Sequence, residues 1–109
     1  MRQFELWWAD LKAPVGRRPV LLLTRTSALK YLSRCIVAEV TMTIRGIPQE
    51  ILLGSAESLS KGCVANLDNV HVVPIAALKE RVGMLAPPRH AQVKRALGAA
   101  LGWPELMGD

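Results

Sequence analysis

Arg18 stands directly before Pro19 at the mouth of a short apolar run, and Glu39, Thr41 and Thr43 alternate along a later one. A guanidinium carries a permanent charge on a planar fork of N–H donors, and a hydroxyl adds a further donor, so this set suits anionic oxygen. The charge around it indicates what sort of anion. Lys12, Arg17, Arg18, Arg25, Lys30 and Arg34 fall between Leu11 and Ala38 with no acidic residue among them, whereas residues 62–109 are nearly balanced. A segregated basic region is what a polyanion binder needs, because phosphate contacts dominate nucleic-acid affinity. Taken singly, each feature also has an ordinary explanation. An arginine before a proline serves as a loop cation, and threonines on an outward strand face are good strand formers.

Other chemistries find no support. Cys35, Cys63, His71 and His90 lack the spacing of a metal site, so no metal and no cofactor is expected, and the histidines read as polar or core-edge residues. There is no phosphate-cradling glycine loop and no serine in a G-x-S-x-G setting. Two cysteines cannot make a disulfide framework and are expected reduced and buried, as in a cytoplasmic protein.

The 109 residues carry a formal charge of +5, half are apolar and 21% are charged, which excludes a disordered chain. No apolar stretch approaches the length of a membrane span, and Glu5 interrupts the region where a signal peptide would be apolar. One domain over 1–109 is expected, with 103–109 as a tail free to move.

Hydrophobic periodicity gives the elements that position these side chains. Phe4–Leu11 reads as a strand, followed by a Pro/Gly loop, and Pro19–Thr24 as a buried strand opened by its proline. Thr26–Ser33 reads as a short helix with Leu29 and Leu32 inward, capped by Thr26 or Ser27. In Cys35–Ile44 the alternation predicts Ile36, Ala38, Val40, Met42 and Ile44 on the core face, and Cys35, Val37, Glu39, Thr41 and Thr43 on a polar one. Arg45–Pro48 turns the chain into a strand over Gln49–Leu53. A loop over 54–62 leads to a strand over Cys63–Val73, interrupted near Asp68-Asn69. A helical turn at Pro74–Leu78 precedes a last strand over Glu80–Ala86, with Val82 and Met84 facing in. Pro87-Pro88 opens a helix whose stripe is Val93, Ala96, Leu97, Ala100 and Leu101, stopped by Gly102 and Pro104. The sum is a small antiparallel barrel or half-barrel of α+β type.

Several segments resemble the MazF/PemK group of bacterial toxins, endoribonucleases of type II toxin–antitoxin modules. Glu5-Leu6-Trp7-Trp8-Ala9-Asp10-Leu11 is similar to the family's first strand, and Gly16-Arg17-Arg18-Pro19-Val20-Leu21-Leu22-Leu23-Thr24 to its arginine–proline signature. Val37–Thr43 resembles the strand that ends in the family's threonine, and Cys63–Val70 the strand that ends in an acidic residue and an amide. Arg81–Leu85 and the closing helix complete a resemblance that runs from about Phe4 to Gly102.

The resemblance implies an SH3-like twisted antiparallel barrel, with a short helix after the second strand and a C-terminal helix, working as a homodimer in the bacterial cytoplasm. It implies metal-independent cleavage of single-stranded RNA by 2′-hydroxyl attack, giving 2′,3′-cyclic phosphate and 5′-hydroxyl ends, and inhibition by an acidic MazE-like antitoxin. The family's catalytic arginine falls on Arg18 and its catalytic threonine on Thr41. Lys12, Arg17, Thr43, Arg45 and Glu39 are expected substrate contacts. Glu39 reads first as a surface carboxylate or an ion-pair partner of Arg18 or Arg17, with a general base as the alternative. Two other functions stay open for this sequence: a non-enzymatic toxin of the same fold that poisons DNA gyrase, and a small SH3-like binding adaptor.

Overall fold

A computed structural model describes residues 1–108. Among these residues the chain forms six strands: β1 (Glu5–Asp10), β2 (Arg17–Leu22), β3 (Arg34–Thr41), β4 (Glu50–Leu53), β5 (Cys63–Pro74) and β6 (Leu78–Met84). The helices are α1 (Thr26–Leu29), α2 (His90–Leu101) and α3 (Pro104–Met107), with 3-10 turns at Ser55–Glu57, Ile75–Ala77 and Pro87–Arg89. All pairings are antiparallel, in the order β4-β5-β3-β2-β1-β6. The sheet curls into a half-barrel with α2 closing one side, so the expected α+β architecture holds. No helix among the described residues is long and apolar enough to cross a membrane.

Core lies on both faces of this sheet. One cluster joins Leu6, Leu21, Ala38, Val40, Ile51 and Leu85 with Val93 and Ala96 of α2. The other joins Ala9, Val20, Leu22, Leu29, Cys35, Val37, Val73 and Leu78. Adjacent residues of β2 and β3 therefore point into different cores, and a fully buried Leu or Val in either contributes about 1.5–3 kcal/mol. This corrects the one-faced reading of Cys35–Ile44. Cys35 and Val37 are buried, whereas Ile36, Met42 and Ile44 are exposed, the last two beyond the end of β3. Leu32, Met84 and Leu101 are likewise exposed, against expectation. The cap of α1 is Arg25, with no side-chain cap bond, while the Thr26 hydroxyl accepts the Gln3 amide at 2.9 Å.

Within the described residues the C-terminal segment folds back onto α2. Gly102 adopts φ 63°, which favours glycine, and α3 then lies on α2 at Gly98, where an added Cβ would meet Leu106 and Met107 at 2.8 Å. Asp109 lies outside the described residues. Both cysteines are buried and unpaired, and burial pushes both thiols up, with the Glu57 charge adding to the effect at Cys63.

Candidate functional site: a cleft where β2 and β3 part

The β2–β3 ladder is short. It pairs Leu22 with Val37, Leu21 with Ala38 and Val20 with Glu39, and there it stops. Beyond that point β2 pairs only with β1, as Ala9↔Arg18 and Trp8↔Pro19, and β3 only with β5, as Val40↔Ala65 and Thr41↔Val64. Pro19 has no N–H to give a neighbouring strand, so it fits where the ladder ends. The strands diverge past Val20↔Glu39 and leave a cleft of about 560 Å³, lined by Arg17, Arg18, Thr41 and Thr43 with Trp8 and Met42 and closed by Ser58–Lys61. A second, smaller cavity of about 160 Å³ opens beside it, around Arg18, Glu39, Thr41, Thr43 and Arg45 with the amides of Asn66 and Asn69.

The sequence-predicted site residues separate cleanly on this geometry. Arg18, Thr41 and Thr43 line both cavities, Arg17 the larger, and Glu39 and Arg45 the smaller. Lys12 is exposed in the β1–β2 loop and lines neither. The Glu39 carboxylate is buried and accepts a hydrogen bond from Arg18 Nη1 at 3.0 Å; Glu39 is an ion-pair partner of Arg18 and not a surface carboxylate. Its other oxygen lies 2.9 Å from His71 Nε2. Arg17 stacks over the Trp8 ring at 4.9 Å and reaches Glu80 at 3.4 Å. That exposed ion pair is worth at most about 1 kcal/mol, so it yields readily to a competing anion. The Thr41 hydroxyl oxygen accepts the Thr43 amide at 3.2 Å and still has its O–H to donate. Glu50 accepts the amides of Arg45, Gly46 and Ile47 and so fixes the turn that carries Arg45.

Sequence reasoning missed His71, Asn66, Trp8 and the Ser58–Lys61 segment as parts of this place. His71 opposes Val37 on β3, and the register then jumps, so that Val70 faces Ala38 while Asn66 faces Glu39. The intervening Leu67–Asn69 is a bulge, and it brings His71 to Glu39 across strands. The expected interruption near Asp68-Asn69 was its trace in the sequence, but its consequence for His71 follows only from the pairing. No group of three His, Cys, Asp or Glu side chains converges to hold a metal among the described residues.

Fold and cleft together define a class: a small curled antiparallel barrel with a cationic, hydroxyl-bearing cleft where its two central strands part. The chain belongs to the PemK-like, MazF-like toxin family of type II toxin–antitoxin systems, whose profile matches residues 2–101. It is 39% identical over 98 residues to the probable endoribonuclease MazF5 of Mycobacterium tuberculosis, a match covering 89% of each chain. Among solved structures it resembles the Mycobacterium tuberculosis toxin MazF-mt6, with a TM-score of 0.85 and 28% identity over 90% of this chain and 96% of the other. It also resembles an endoribonuclease in complex with its cognate antitoxin from a mycobacterial species, with a TM-score of 0.83 and 25% identity over 95% and 97%.

Proposed function

We propose that this toxin, an endoribonuclease like its relatives, cleaves single-stranded RNA by attack of a ribose 2′-hydroxyl on the adjacent phosphate. The products are a 2′,3′-cyclic phosphate and a 5′-hydroxyl, and the protein needs no metal to make them. DNA lacks the attacking hydroxyl, so selectivity for RNA follows from the nucleophile. Charge accumulates on the non-bridging phosphate oxygens in the transition state. Arg18 meets it with a fixed positive charge and Thr41 with a hydroxyl donor. Thr43, Arg45 and Arg17 contact the substrate within the cavities, and Lys12 a flanking phosphate outside them. Trp8, under Arg17, offers a ring on which a base can stack.

The single observation that carries this reading is that Arg18 and Thr41, from different strands, line the same two cavities. The protein acts in the bacterial cytoplasm as a homodimer under control of an antitoxin. The exposed cross-strand pair Ile36–Val72, with Tyr31 and Leu32 also exposed, supplies apolar surface for self-association. The exposed cations Lys12, Arg17 and Arg25 suit an acidic antitoxin segment. The test is incubation with a long single-stranded transcript in excess chelator, followed by analysis of the ends. Cyclic-phosphate and 5′-hydroxyl ends are expected. Intact RNA would overturn the reading in favour of a binding function such as gyrase poisoning.

A further inference from the structure

Attack by a 2′-hydroxyl requires something to take its proton. Among the described residues, the larger cleft holds no side chain suited to that task. Its charged groups are Arg17, Arg18 and Lys61, and its thiol, Cys63, is kept protonated by burial. A guanidinium is no better, because it does not give up its proton in proteins. The smaller cavity differs in one respect: Glu39 lies in it, beside Arg18 and Thr41. We propose that Glu39 is the general base of the cleavage reaction, with His71 as the positioning residue that holds its carboxylate. The inference rests on the function proposed above and names the group that function leaves unnamed.

Three features of the geometry support it. First, the attacking hydroxyl sits on the same ribose as the phosphate it attacks, so the base must stand next to whatever holds that phosphate. Glu39 Oε1 stands 3.0 Å from Arg18 Nη1. A guanidinium has five N–H donors, so one spent on Glu39 leaves four for phosphate. Second, each carboxylate oxygen has one neighbour, Arg18 at Oε1 and His71 at Oε2, and each keeps a lone-pair direction for a substrate proton. Third, Glu39 is held from two strands. Arg18 approaches from β2 with a hydrogen bond and His71 from β5, where the Leu67–Asn69 bulge brings the ring across; the buried His71 Nε2 lies 2.9 Å from Oε2 as a close contact, without the alignment of a hydrogen bond. A base clamped in this way stays in line with the nucleophile instead of swinging into solvent.

The step balances without any outside reactant. The 2′-O–H bond breaks and its proton passes to Glu39 while the 2′-oxygen bonds to phosphorus. The P–O5′ bond breaks with its electron pair left on the 5′-oxygen, which takes a proton from water at the open mouth of the cleft. The Glu39 carboxylic acid then returns its proton to the hydroxide so formed, and the site is reset.

The charged and ionisable side chains that face Glu39 are Arg18 of β2, His71 of β5 and Arg45 beyond β3, so the experiment is a pH–rate profile rather than a single rate. The cut position is first mapped on a long transcript. Single-turnover cleavage of a short RNA spanning it is then measured for wild type, Arg18→Ala, Glu39→Gln, Glu39→Ala and His71→Asn. Binding is measured with the same RNA carrying a 2′-O-methyl group at the cut. Glu39→Gln is expected to lower the cleavage rate about 10²–10³-fold while binding holds or tightens, since a negative charge leaves the phosphate site. Its residual rate should rise steadily with pH as hydroxide replaces the lost base. Acetate should partly restore Glu39→Ala, which keeps the test alive if Glu39→Gln folds poorly. His71→Asn should slow cleavage several-fold and displace the acid limb of the profile with no change in binding. A Glu39→Gln variant that cleaves at the wild-type rate, or a Glu39→Ala variant deaf to acetate, would reduce Glu39 to a tether for Arg18. If wild type leaves the RNA intact, the proposed function itself falls. If wild type cuts and Arg18→Ala does not, that function stands whatever Glu39 does.

Discussion

Gly83 of β6 lies directly against the main-chain carbonyl of Glu57, so closely that a Cβ at position 83 would overlap the carbonyl oxygen, with Ser58 next to it. The contact matters because Glu57 anchors the segment that closes the cleft. Its buried carboxylate accepts the Gly54 amide at 2.7 Å and pairs with Arg89 at 3.2 Å, and Arg89 in turn donates to the Leu52 carbonyl at 2.6 Å. The wall formed by Ser58–Lys61 is thus set by β6 on one side and by the Pro87–Arg89 turn before α2 on the other.

Gly83→Ala is therefore expected to displace Ser55–Lys61 and cost about 1–3 kcal/mol, the usual range for overpacking a tight contact. The loss should reach the site, with RNA cleavage falling further than the unfolding midpoint alone explains at assay temperature. Urea unfolding and cleavage rate, measured on the same preparation, check this. A variant equal to wild type in both would show that the backbone opens there without penalty.

Arg18→Ala is expected to abolish cleavage while the protein stays folded, but its melting temperature should drop. The side chain is the cation on the buried Glu39, and removing it leaves that carboxylate with His71 alone. Arg18 is itself about one-third exposed, so the cost is discounted to about 1–2 kcal/mol, several degrees for a chain of this length. Calorimetry on this variant and on Arg18→Ala/Glu39→Gln separates the two effects. The double variant should recover part of the stability and none of the activity. Wild-type cleavage by the single variant would remove Arg18 from the catalytic centre.

Thr41→Val should lose more activity than Thr43→Val. Thr41 lies at the end of β3, half-buried and held by the ladder to β5, whereas Thr43 is exposed beyond the strand. Valine keeps the branched shape, so packing changes little. Removing one preorganised transition-state donor typically costs about 3–4 kcal/mol, a rate effect of about 10²–10³-fold. Steady-state rates on a single RNA decide the order. A larger loss at Thr43 would transfer the donor role two residues along the chain.

How much of this was legible depended on local periodicity. The Val93, Ala96, Leu97 and Ala100 stripe of α2 and the Gly102 stop are set by local spacing, and the sequence identifies them directly, although Leu101, read as the end of that stripe, is exposed. Pro19 reads in the sequence as the opening of its strand, whereas β2 begins at Arg17 and the missing N–H instead falls where the ladder to β3 ends. The faces of β3 were misread for a physical reason. A sheet with core on both sides buries consecutive residues such as Val37 and Ala38, so alternation no longer marks one inner face. Ile36 is apolar yet exposed because the cluster on its own face of β3 stops at Ala38, and Met42 because it lies beyond the end of the strand. His71 stayed hidden because its partner is set by a three-residue register jump on β5, which sequence periodicity cannot locate.

The last prediction concerns acid stability, and it rests on Glu5. This buried carboxylate accepts hydrogen bonds from Arg81 Nε at 2.8 Å, Trp7 Nε1 at 3.1 Å and the Arg2 amide at 2.8 Å. Burial by itself would raise its pKa, but these three bonds and the Arg81 charge together hold it below the ordinary 4.5. A carboxyl whose pKa is lower in the folded state than in the unfolded one stabilises the fold above its unfolded value and loses that contribution as pH falls through the folded value. The window thus opens below about pH 4.5. Glu5→Gln keeps the shape and removes the charge, so wild type should melt higher than the variant from pH 7 to pH 5, and the gap should close progressively toward pH 3. Trp7, bonded to the same carboxylate, gives a fluorescence reading of the event, provided the signal is separated from the other tryptophans with a Trp7→Phe control. A gap that stays constant from pH 7 to pH 3 would mean that the Arg81 contact contributes through shape alone, with no linkage to the proton.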